Sequence, residues 1–133
     1  MAYTVGHIDH IACPTPDENI DHVKDFYTRV LGFKTEIDTR LSNGHRMVFM
    51  SNGETRFEVY TGEERHGLRG IIDHFCIMCT DIDDLAAAIK AEGYEMEEPT
   101  KVFYADGRLQ FALWFFTGPC GERIELYENN MTE

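Results

Sequence analysis

The chain has 133 residues, which is the size of one compact domain and excludes a second large one. Hydrophobic residues make up 43% and charged residues 27%, a composition typical of a globular protein and not of a disordered one. With 24 acidic side chains against 12 basic ones, the net charge of −12 argues against nucleic acid or an anionic bilayer as a partner.

The sequence predicts neither a membrane span nor a secretory leader. No apolar run approaches the roughly 20 residues that cross a bilayer, and residues 1–6 (MAYTVG) lack the basic and apolar regions of a signal peptide. We therefore expect a cytoplasmic protein.

The cysteines are too few and too irregularly spaced for a disulfide framework, so we expect reduced thiols within the core: Cys13, Cys76, Cys79 and Cys120. The Cys76-x-x-Cys79 spacing leaves open a redox pair or half of a zinc site. It stands inside an apolar run and has no second CxxC, which favours core thiols.

The chain contains one internal repeat. Residues 7–13 (HIDHIAC) and 71–77 (IIDHFCI) each place Ile-Asp-His before an apolar stretch. A second parallel phrase closes each copy, GETRFEVY at 53–60 and GERIELY at 121–127. The chain therefore consists of two related units.

A helix and three strands follow the opening phrase of the first copy. TPDE at 15–18 has the form of a capping box, and helical apolar spacing continues to Gly32, which predicts a helix over about 16–31. Strand-like segments follow at about 33–38, 45–51 and 56–61. Asn43-Gly44 is a hairpin signal between the first two.

The second copy repeats this order. Thr80 or Asp81 can cap a shorter helix, and Gly93 supplies its left-handed end. Strands are predicted at about 94–104, 109–116 and 122–128, with Asp106-Gly107 as the turn.

These elements predict an α+β fold in which two βαβββ modules, about 5–61 and 71–128, form a single domain over 1–133. The glycine-rich, charged segment 62–70 is the expected linker. We expect a curved antiparallel sheet around a cavity with the helices outside. Since a unit of about 65 residues buries too little surface alone, two must pack together, within one chain or across a homodimer.

Strand alternation predicts where the polar residues point. Glu58 shares a face with Arg56 and Tyr60, and Glu125 occupies the equivalent position in the second copy. If the apolar faces meet the helices, both Glu side chains face the cavity. His10 and His74, on the first strands, can reach the same space.

Two imidazoles and two carboxylates without a thiolate suit a divalent ion such as Zn, Ni, Co, Mn or Fe(II), with positions open for water or substrate. A lone strand His is more often a core or surface residue, and a lone strand Glu is usually solvated. All four here occupy equivalent repeat positions, which favours a catalytic metal site.

Two further motifs, FYxxVLGF at 26–33 and PxGxxIEL at 119–126, make the chain resemble the vicinal oxygen chelate superfamily. This superfamily includes glyoxalase I, methylmalonyl-CoA epimerase, extradiol dioxygenases and the fosfomycin and bleomycin resistance proteins. The order His, Glu, His, Glu is most similar to bacterial glyoxalase I.

That resemblance implies one divalent ion held by His10, Glu58, His74 and Glu125. It also implies a lyase or isomerase of the lactoylglutathione lyase type, acting on a small molecule with adjacent oxygens. Glu125 is implied as the base that removes a proton next to a chelated carbonyl to give an enediolate, with Glu58 as its pseudo-symmetric partner.

Two positions depart from glyoxalase I. Pro14 stands where an Arg usually grips glutathione, and Gly62 stands where an Asn is often found. Arg56 and Arg123 are candidate replacements that bind substrate, unless they pair with neighbouring acids as ordinary strand residues. Phe111 and residues 114–116 (WFF) line a pocket or belong to the core.

Three alternative functions remain open. A one-domain Fe(II) dioxygenase needs only two His and one carboxylate. An epimerase of this superfamily usually has Gln at the position of Glu58. A metal-free protein that binds a drug or metabolite generally lacks the full ligand set.

Overall fold

The protein is described here from a computed structural model, which covers residues 8–62, 72 and 74–131. The chain divides into two compact units, Met1–Gly67 and Leu68–Glu133. Of the predicted linker at 62–70, only Gly62 lies within the described residues. None of the helices in these ranges is long and apolar enough to cross a membrane.

The first unit contains a four-stranded sheet with one helical segment. The sheet order is β1-β4-β3-β2. The strands are β1 (His10–Pro14), β2 (Lys34–Arg40), β3 (Arg46–Ser51) and β4 (Arg56–Tyr60). The helical segment runs through a 3-10 turn at Asp17–Asn19, the α-helix α1 at Ile20–Asp25 and a π-helical turn at Phe26–Val30.

The second unit repeats this arrangement with the sheet order β5-β8-β7-β6. Its elements are β5 (Phe75–Met78), α2 (Ile82–Ala91), β6 (Thr100–Phe103), β7 (Leu109–Thr117) and β8 (Arg123–Asn129). The predicted α+β fold with two βαβββ modules is confirmed.

The sheets are mixed, whereas a wholly antiparallel sheet was predicted. In each unit the three later strands form an antiparallel meander, but the first strand runs parallel to the last. In each unit the helical segment connects the first strand to the second and crosses the sheet on the way. The first strand therefore pairs with the last strand of the meander and not with the second. This parallel pairing brings the opening and closing phrases of each copy side by side.

The first helical segment has nearly the predicted span but is not a regular α-helix. Its last turn is π-helical, and both Phe26 and Tyr27 are buried there. Tyr27 stacks on Phe57 of β4 with ring centroids 4.1 Å apart. Ile20 and Val23 complete the side of the segment that packs on the sheet core.

Helix α2 is confirmed, but its N-terminus is capped differently from the prediction. Asp81 has a left-handed backbone with φ of 51° and makes no side-chain cap hydrogen bond. Instead the backbone N–H of Ile82 donates to Oε1 of Glu128 on β8, at 2.9 Å. Ile82, Ala86 and Ile89 are the buried side of the helix.

The strand predicted at 94–104 is much shorter, because only Thr100–Phe103 joins the ladder as β6. Pro99 lacks the N–H that a central ladder position requires. The segment before it is attached to β7 by a bridge between Met96 and Phe116 and by the N–H of Glu97, which donates to the carbonyl of Phe115.

Candidate metal centre

The first unit places a histidine beside a glutamate. His10 begins β1 and Glu58 lies in the middle of β4, and these two strands are paired in parallel. The imidazole Nε2 of His10 lies 3.4 Å from Oε1 of Glu58.

The second unit forms the same pair. His74 immediately precedes β5 and Glu125 lies on the adjacent β8. Nε2 of His74 lies 3.1 Å from Oε1 of Glu125. The repeat therefore produces two equivalent His–Glu pairs, one in each unit.

Both glutamates are partly buried on the sheet face opposite the helix. Phe57 and Val59 are buried on either side of Glu58, and Ile124 and Leu126 are buried on either side of Glu125. The Glu58 and Glu125 side chains are 16% and 14% exposed. The face predicted from strand alternation is confirmed for both.

Asp9 determines which nitrogen of His10 is available. Nδ1 of His10 lies 2.8 Å from Oδ2 of Asp9. The hydrogen bonds from His10 and Arg56 hold the pKa of Asp9 below its usual range, so Asp9 is a carboxylate that only accepts. Nδ1 therefore donates to Asp9, which leaves Nε2 as the ring nitrogen that faces Glu58.

The two atoms that face each other at 3.4 Å, the imidazole Nε2 and the carboxylate Oε1, are both of types that bind borderline divalent ions. Donors bound to one ion at about 2.1 Å are about 3.0 Å apart at a right angle and about 3.4 Å apart at a tetrahedral angle. The separations in the two pairs are 3.4 and 3.1 Å. Each pair thus fits two coordination positions of a borderline divalent ion.

Each pair supplies two donors, short of a complete centre. Across the residues that the structure describes, no group of three or more His, Cys, Asp or Glu side chains is arranged to hold a metal ion. His10 is brought to Glu58 and His74 to Glu125, whereas the two pairs belong to different units.

An aromatic ring contacts each histidine, a feature the sequence analysis missed. Phe49 of β3 lies 5.1 Å from His10 between ring centroids, and Phe115 of β7 lies 5.0 Å from His74. The rings are nearly perpendicular in both cases, at 74° and 85°. The repeat itself contains the signal, because VFM at 48–50 and WFF at 114–116 occupy equivalent strand positions.

The candidate substrate arginines pair with acids. Arg56 donates to Glu36 and to Asp9, both at 2.8 Å, and the hydrogen bond to Glu36 raises the pKa of the guanidinium. Arg123 donates to Glu97 at 2.9 and 3.2 Å. Each guanidinium also lies over a ring, Arg56 over Phe49 and Arg123 over Phe115. The positive charge on each sheet face is therefore balanced locally.

The prediction that all four cysteines are core thiols is wrong for Cys76. It is exposed and lies opposite Glu125 in the parallel pairing, while of the four only Cys120 is buried. Desolvation of the sulfur and the nearby Glu125 carboxylate raise the pKa of Cys76 to about 11. The Cys79 pKa is raised as well. Since thiol–disulfide exchange needs the thiolate, both shifts argue against a redox role for this CxxC. Among the residues that the structure describes, no third His, Cys, Asp or Glu joins the two thiols in a group that could hold zinc.

The aromatic segment of β7 divides between the two faces of its sheet. Trp114 and Phe116 are buried in the core, and the indole N–H of Trp114 donates to the carbonyl of Glu97. Phe111 and Phe115 alternate with them and share the face of Glu125.

Most of the chain matches one protein family. The family model described as "Glyoxalase/Bleomycin resistance protein/Dioxygenase superfamily" matches residues 7–126. No curated protein shows significant sequence similarity to the chain.

Several solved structures share the fold. A glyoxalase family protein from Enterococcus faecalis has a TM-score of 0.70 at 21% identity, covering 92% of this chain and 97% of that one. A fosfomycin resistance protein from Listeria monocytogenes, complexed with Mn(II) and sulfate, has a TM-score of 0.74 at 13% identity, covering 96% of each chain. An antibiotic binding protein from a Streptomyces species has a TM-score of 0.68 at 23% identity, covering 98% of this chain and 99% of that one. At these identities the likeness establishes the fold alone.

Proposed function

Since the chain belongs to the glyoxalase/bleomycin resistance protein/dioxygenase superfamily, we propose that it is a metal-dependent lyase or isomerase of the glyoxalase I type. The observation that carries the proposal is the presence of two equivalent His–Glu pairs with metal-ligand spacing. The substrate is a small molecule with adjacent oxygens.

The proposed ligands of the ion are His10, Glu58, His74 and Glu125. Two positions per pair add up to the four protein ligands, and the ion is Ni, Co, Zn, Mn or Fe(II). One chain can supply both pairs, or two chains of a homodimer can supply one pair each.

When bound, the ion would supply Lewis acidity to the oxygens of the substrate. Glu125 is the proposed base, taking a proton from the carbon next to a carbonyl. The proton that Glu125 has taken is then returned at the neighbouring carbon, which regenerates its carboxylate, and Glu58, its pseudo-symmetric partner, holds the equivalent position in the other unit. The low exposure of both carboxylates supports these roles, because few water molecules compete for the proton.

The charge balance favours a neutral substrate. Arg56 and Arg123 are the proposed substrate contacts, but acids already match their charge, so they act as hydrogen-bond donors to a neutral oxygen. The net charge of −12 repels an anion from a distance. Pro14, in place of an Arg, gives glutathione no carboxylate grip.

A metal-free binding role is the second candidate. It is favoured by the likeness to the antibiotic binding protein, which extends over nearly the whole chain. A metal-free binding role does not explain why both units have a His–Glu pair with the same spacing. A dioxygenase would need only three of the four proposed ligands. An epimerase is disfavoured because epimerases of this superfamily usually have Gln where this chain has Glu58.

The decisive experiment is a turnover assay on protein that has been stripped of metal and reloaded with each ion in turn. Hemithioacetals of methylglyoxal with several thiols are the substrates. We expect turnover with at least one ion and a loss of about 100-fold or more in Glu125→Ala. Glu98→Ala, which removes an exposed carboxylate, is the matched control and keeps wild-type activity.

No turnover with any ion would contradict the proposal. Oxygen uptake with catechols in the Fe(II) form would then favour a dioxygenase. Tight binding of an aromatic ligand by the stripped protein would favour the metal-free role.

A further inference from the structure

Each unit contains, within its own sheet, a ring contact that spans three strands. His10 lies on β1 and Phe49 on β3, with β4 between them in the sheet. Neighbouring strands are about 4.8 Å apart, so the outer two backbones are about 10 Å apart. The side chains nonetheless meet, with ring centroids 5.1 Å apart. Both rings therefore lean inwards over β4.

The second unit repeats the contact with different residues. His74 precedes β5, Phe115 lies on β7, and β8 lies between these strands. Each phenylalanine is directly opposite the proposed ligand glutamate in its ladder, Phe49 opposite Glu58 and Phe115 opposite Glu125. The same placement in both units argues that the contact is built into the module.

The phenylalanine rings are themselves held in place. The guanidinium carbon of Arg56 lies 4.6 Å from the centroid of Phe49, and that of Arg123 lies 3.8 Å from the centroid of Phe115. Cation–π attraction fixes each ring. The salt bridges of Arg56 to Glu36 and of Arg123 to Glu97 fix each guanidinium. Each unit thus contains a chain of contacts from acid to arginine to phenylalanine to histidine.

We propose that Phe49 and Phe115 are positioning residues that orient the imidazoles of His10 and His74 for metal binding. An imidazole rotates easily about its bond to Cβ, and a perpendicular ring against it restricts that rotation. Hydrogen-bonded partners that orient a ligand histidine typically contribute about 10-fold to 100-fold in metal affinity, and we assign the ring contact the lower end of that range. The inference rests on the proposed function, since it takes the two histidines as ligands.

The test compares Phe49→Leu and Phe115→Leu with wild type in titrations with Co(II). Each variant is expected to bind Co(II) about 10-fold more weakly and to show an altered visible absorption spectrum of the bound ion. Phe49→Tyr and Phe115→Tyr keep the ring and should keep wild-type affinity and spectrum. If Phe49→Leu or Phe115→Leu fails to fold, the Met variant at the same position takes its place, because the flexible Met side chain fills irregular gaps in a core.

Matched controls remove an apolar side chain two positions earlier on the same strand face. Met47→Ala and Leu113→Ala should leave Co(II) affinity within about twofold of wild type, a change well below that expected for an orienting group. If the Leu variants of Phe49 and Phe115 also bind Co(II) with wild-type affinity and spectrum, the positioning role is wrong.

A readout without metal separates this inference from the proposed function. A phenylalanine ring against an imidazole shifts the proton resonances of that imidazole by its ring current. In metal-free Phe49→Leu the His10 ring resonances are expected to move towards those of a free histidine, and in Phe115→Leu those of His74. If wild type binds no Co(II) but the Leu variants still show these shifts, the proposed metal function is wrong while the ring contact stands. Unchanged resonances in the Leu variants would overturn the positioning role itself.

Discussion

Nε2 of His74 lies 3.1 Å from Oε1 of Glu125, although 51 positions separate the two residues in the chain. The parallel pairing of β5 with β8 brings them together, and the pairing of β1 with β4 does the same for His10 and Glu58. The parallel strand pair in each sheet is thus the feature of the fold that forms each His–Glu pair of the proposed metal centre.

The charge of the substrate provides a direct prediction. Hemithioacetals of methylglyoxal with neutral 2-mercaptoethanol should have a higher kcat/KM than those with anionic 3-mercaptopropionate, because Arg56 and Arg123 are already paired with acids. The ratio should fall as salt is raised, since a Debye length shrinks from about 10 Å at about 0.1 M to about 3 Å at about 1 M. A preference for the anionic thiol would contradict the charge argument.

The Asp38 ion pairs predict a pH-dependent stability. Hydrogen bonds from Arg46, at 2.8 and 2.9 Å, and from Lys24, at 2.7 Å, hold the pKa of Asp38 well below its ordinary value of 3.8. A lowered pKa stabilises the fold above the unfolded value, and this contribution is lost as pH falls through the folded value. Asp38→Asn should therefore lower the free energy of unfolding by about 1 kcal/mol at neutral pH, less in acid.

Urea denaturation at neutral pH and below about pH 4, near the ordinary pKa of aspartate, measures this difference. Asp25→Asn is the matched control, because Asp25 pairs with Arg29 on the helical segment and both side chains are more than half exposed. It should have little effect at any pH. Equal losses in the two variants would show that the Asp38 cluster has no special role.

The raised pKa of Cys76 predicts slow alkylation despite its exposure. With a pKa of about 11, little thiolate is present at neutral pH. Since nucleophilicity rises with pKa, the net effect is a labelling rate about 10-fold below that of the same cysteine in unfolded chain. Mass spectrometry after iodoacetamide treatment, in native buffer and in urea, measures the two rates. Equal labelling rates in native buffer and in urea would contradict the raised pKa of Cys76 and would again allow a reactive role for the CxxC.

The cap on α2 predicts a stability effect at a distance in sequence. Glu128→Ala should cost about 1 kcal/mol, the usual cost of a lost N-cap acceptor, because it removes the partner of the Ile82 N–H. Glu128→Gln keeps an acceptor oxygen and should retain most of the stability. Thermal unfolding followed by far-UV circular dichroism compares them, with Glu98→Ala as control. If the Ala and Gln variants melt together at the wild-type temperature, the cap contributes nothing.

Much of the fold could be predicted because the repeat supplied two independent readings of one module. Strand alternation correctly placed Glu58 and Glu125 opposite the buried residues of their strands. Alternation assigns faces but not partners, so it did not predict that the first strand of each unit runs parallel to the last. Local signals also extended β6 too far towards its N-terminus, where Pro99 interrupts the pairing with β7. They placed the α2 cap at Thr80 or Asp81, although Glu128 supplies the acceptor.

The His and Glu residues of the candidate site could be predicted from the sequence, but the contacts that surround them could not. His10, Glu58, His74 and Glu125 stand out because polar residues recur at equivalent positions among apolar ones. Phe49 and Phe115 recur in the same way, but apolar residues on a strand are ordinary, so their contact with the histidines emerges only from the three-dimensional arrangement. The pairing of Arg56 and Arg123 with acids likewise depends on side chains distant in the sequence, such as Glu36 and Glu97.

Metal stoichiometry in wild type, Glu58→Ala and Glu125→Ala tests the central claim most directly, that two His–Glu pairs hold one ion. Protein purified without chelator is stripped, titrated with Co(II) and analysed for bound metal, with Glu54→Ala and Glu98→Ala as exposed-carboxylate controls. We expect one ion per chain in wild type and the controls, and a loss of about 10-fold or more in affinity in each ligand variant. Equal binding in all five proteins, or two ions per chain of which each ligand variant keeps one, would contradict the account.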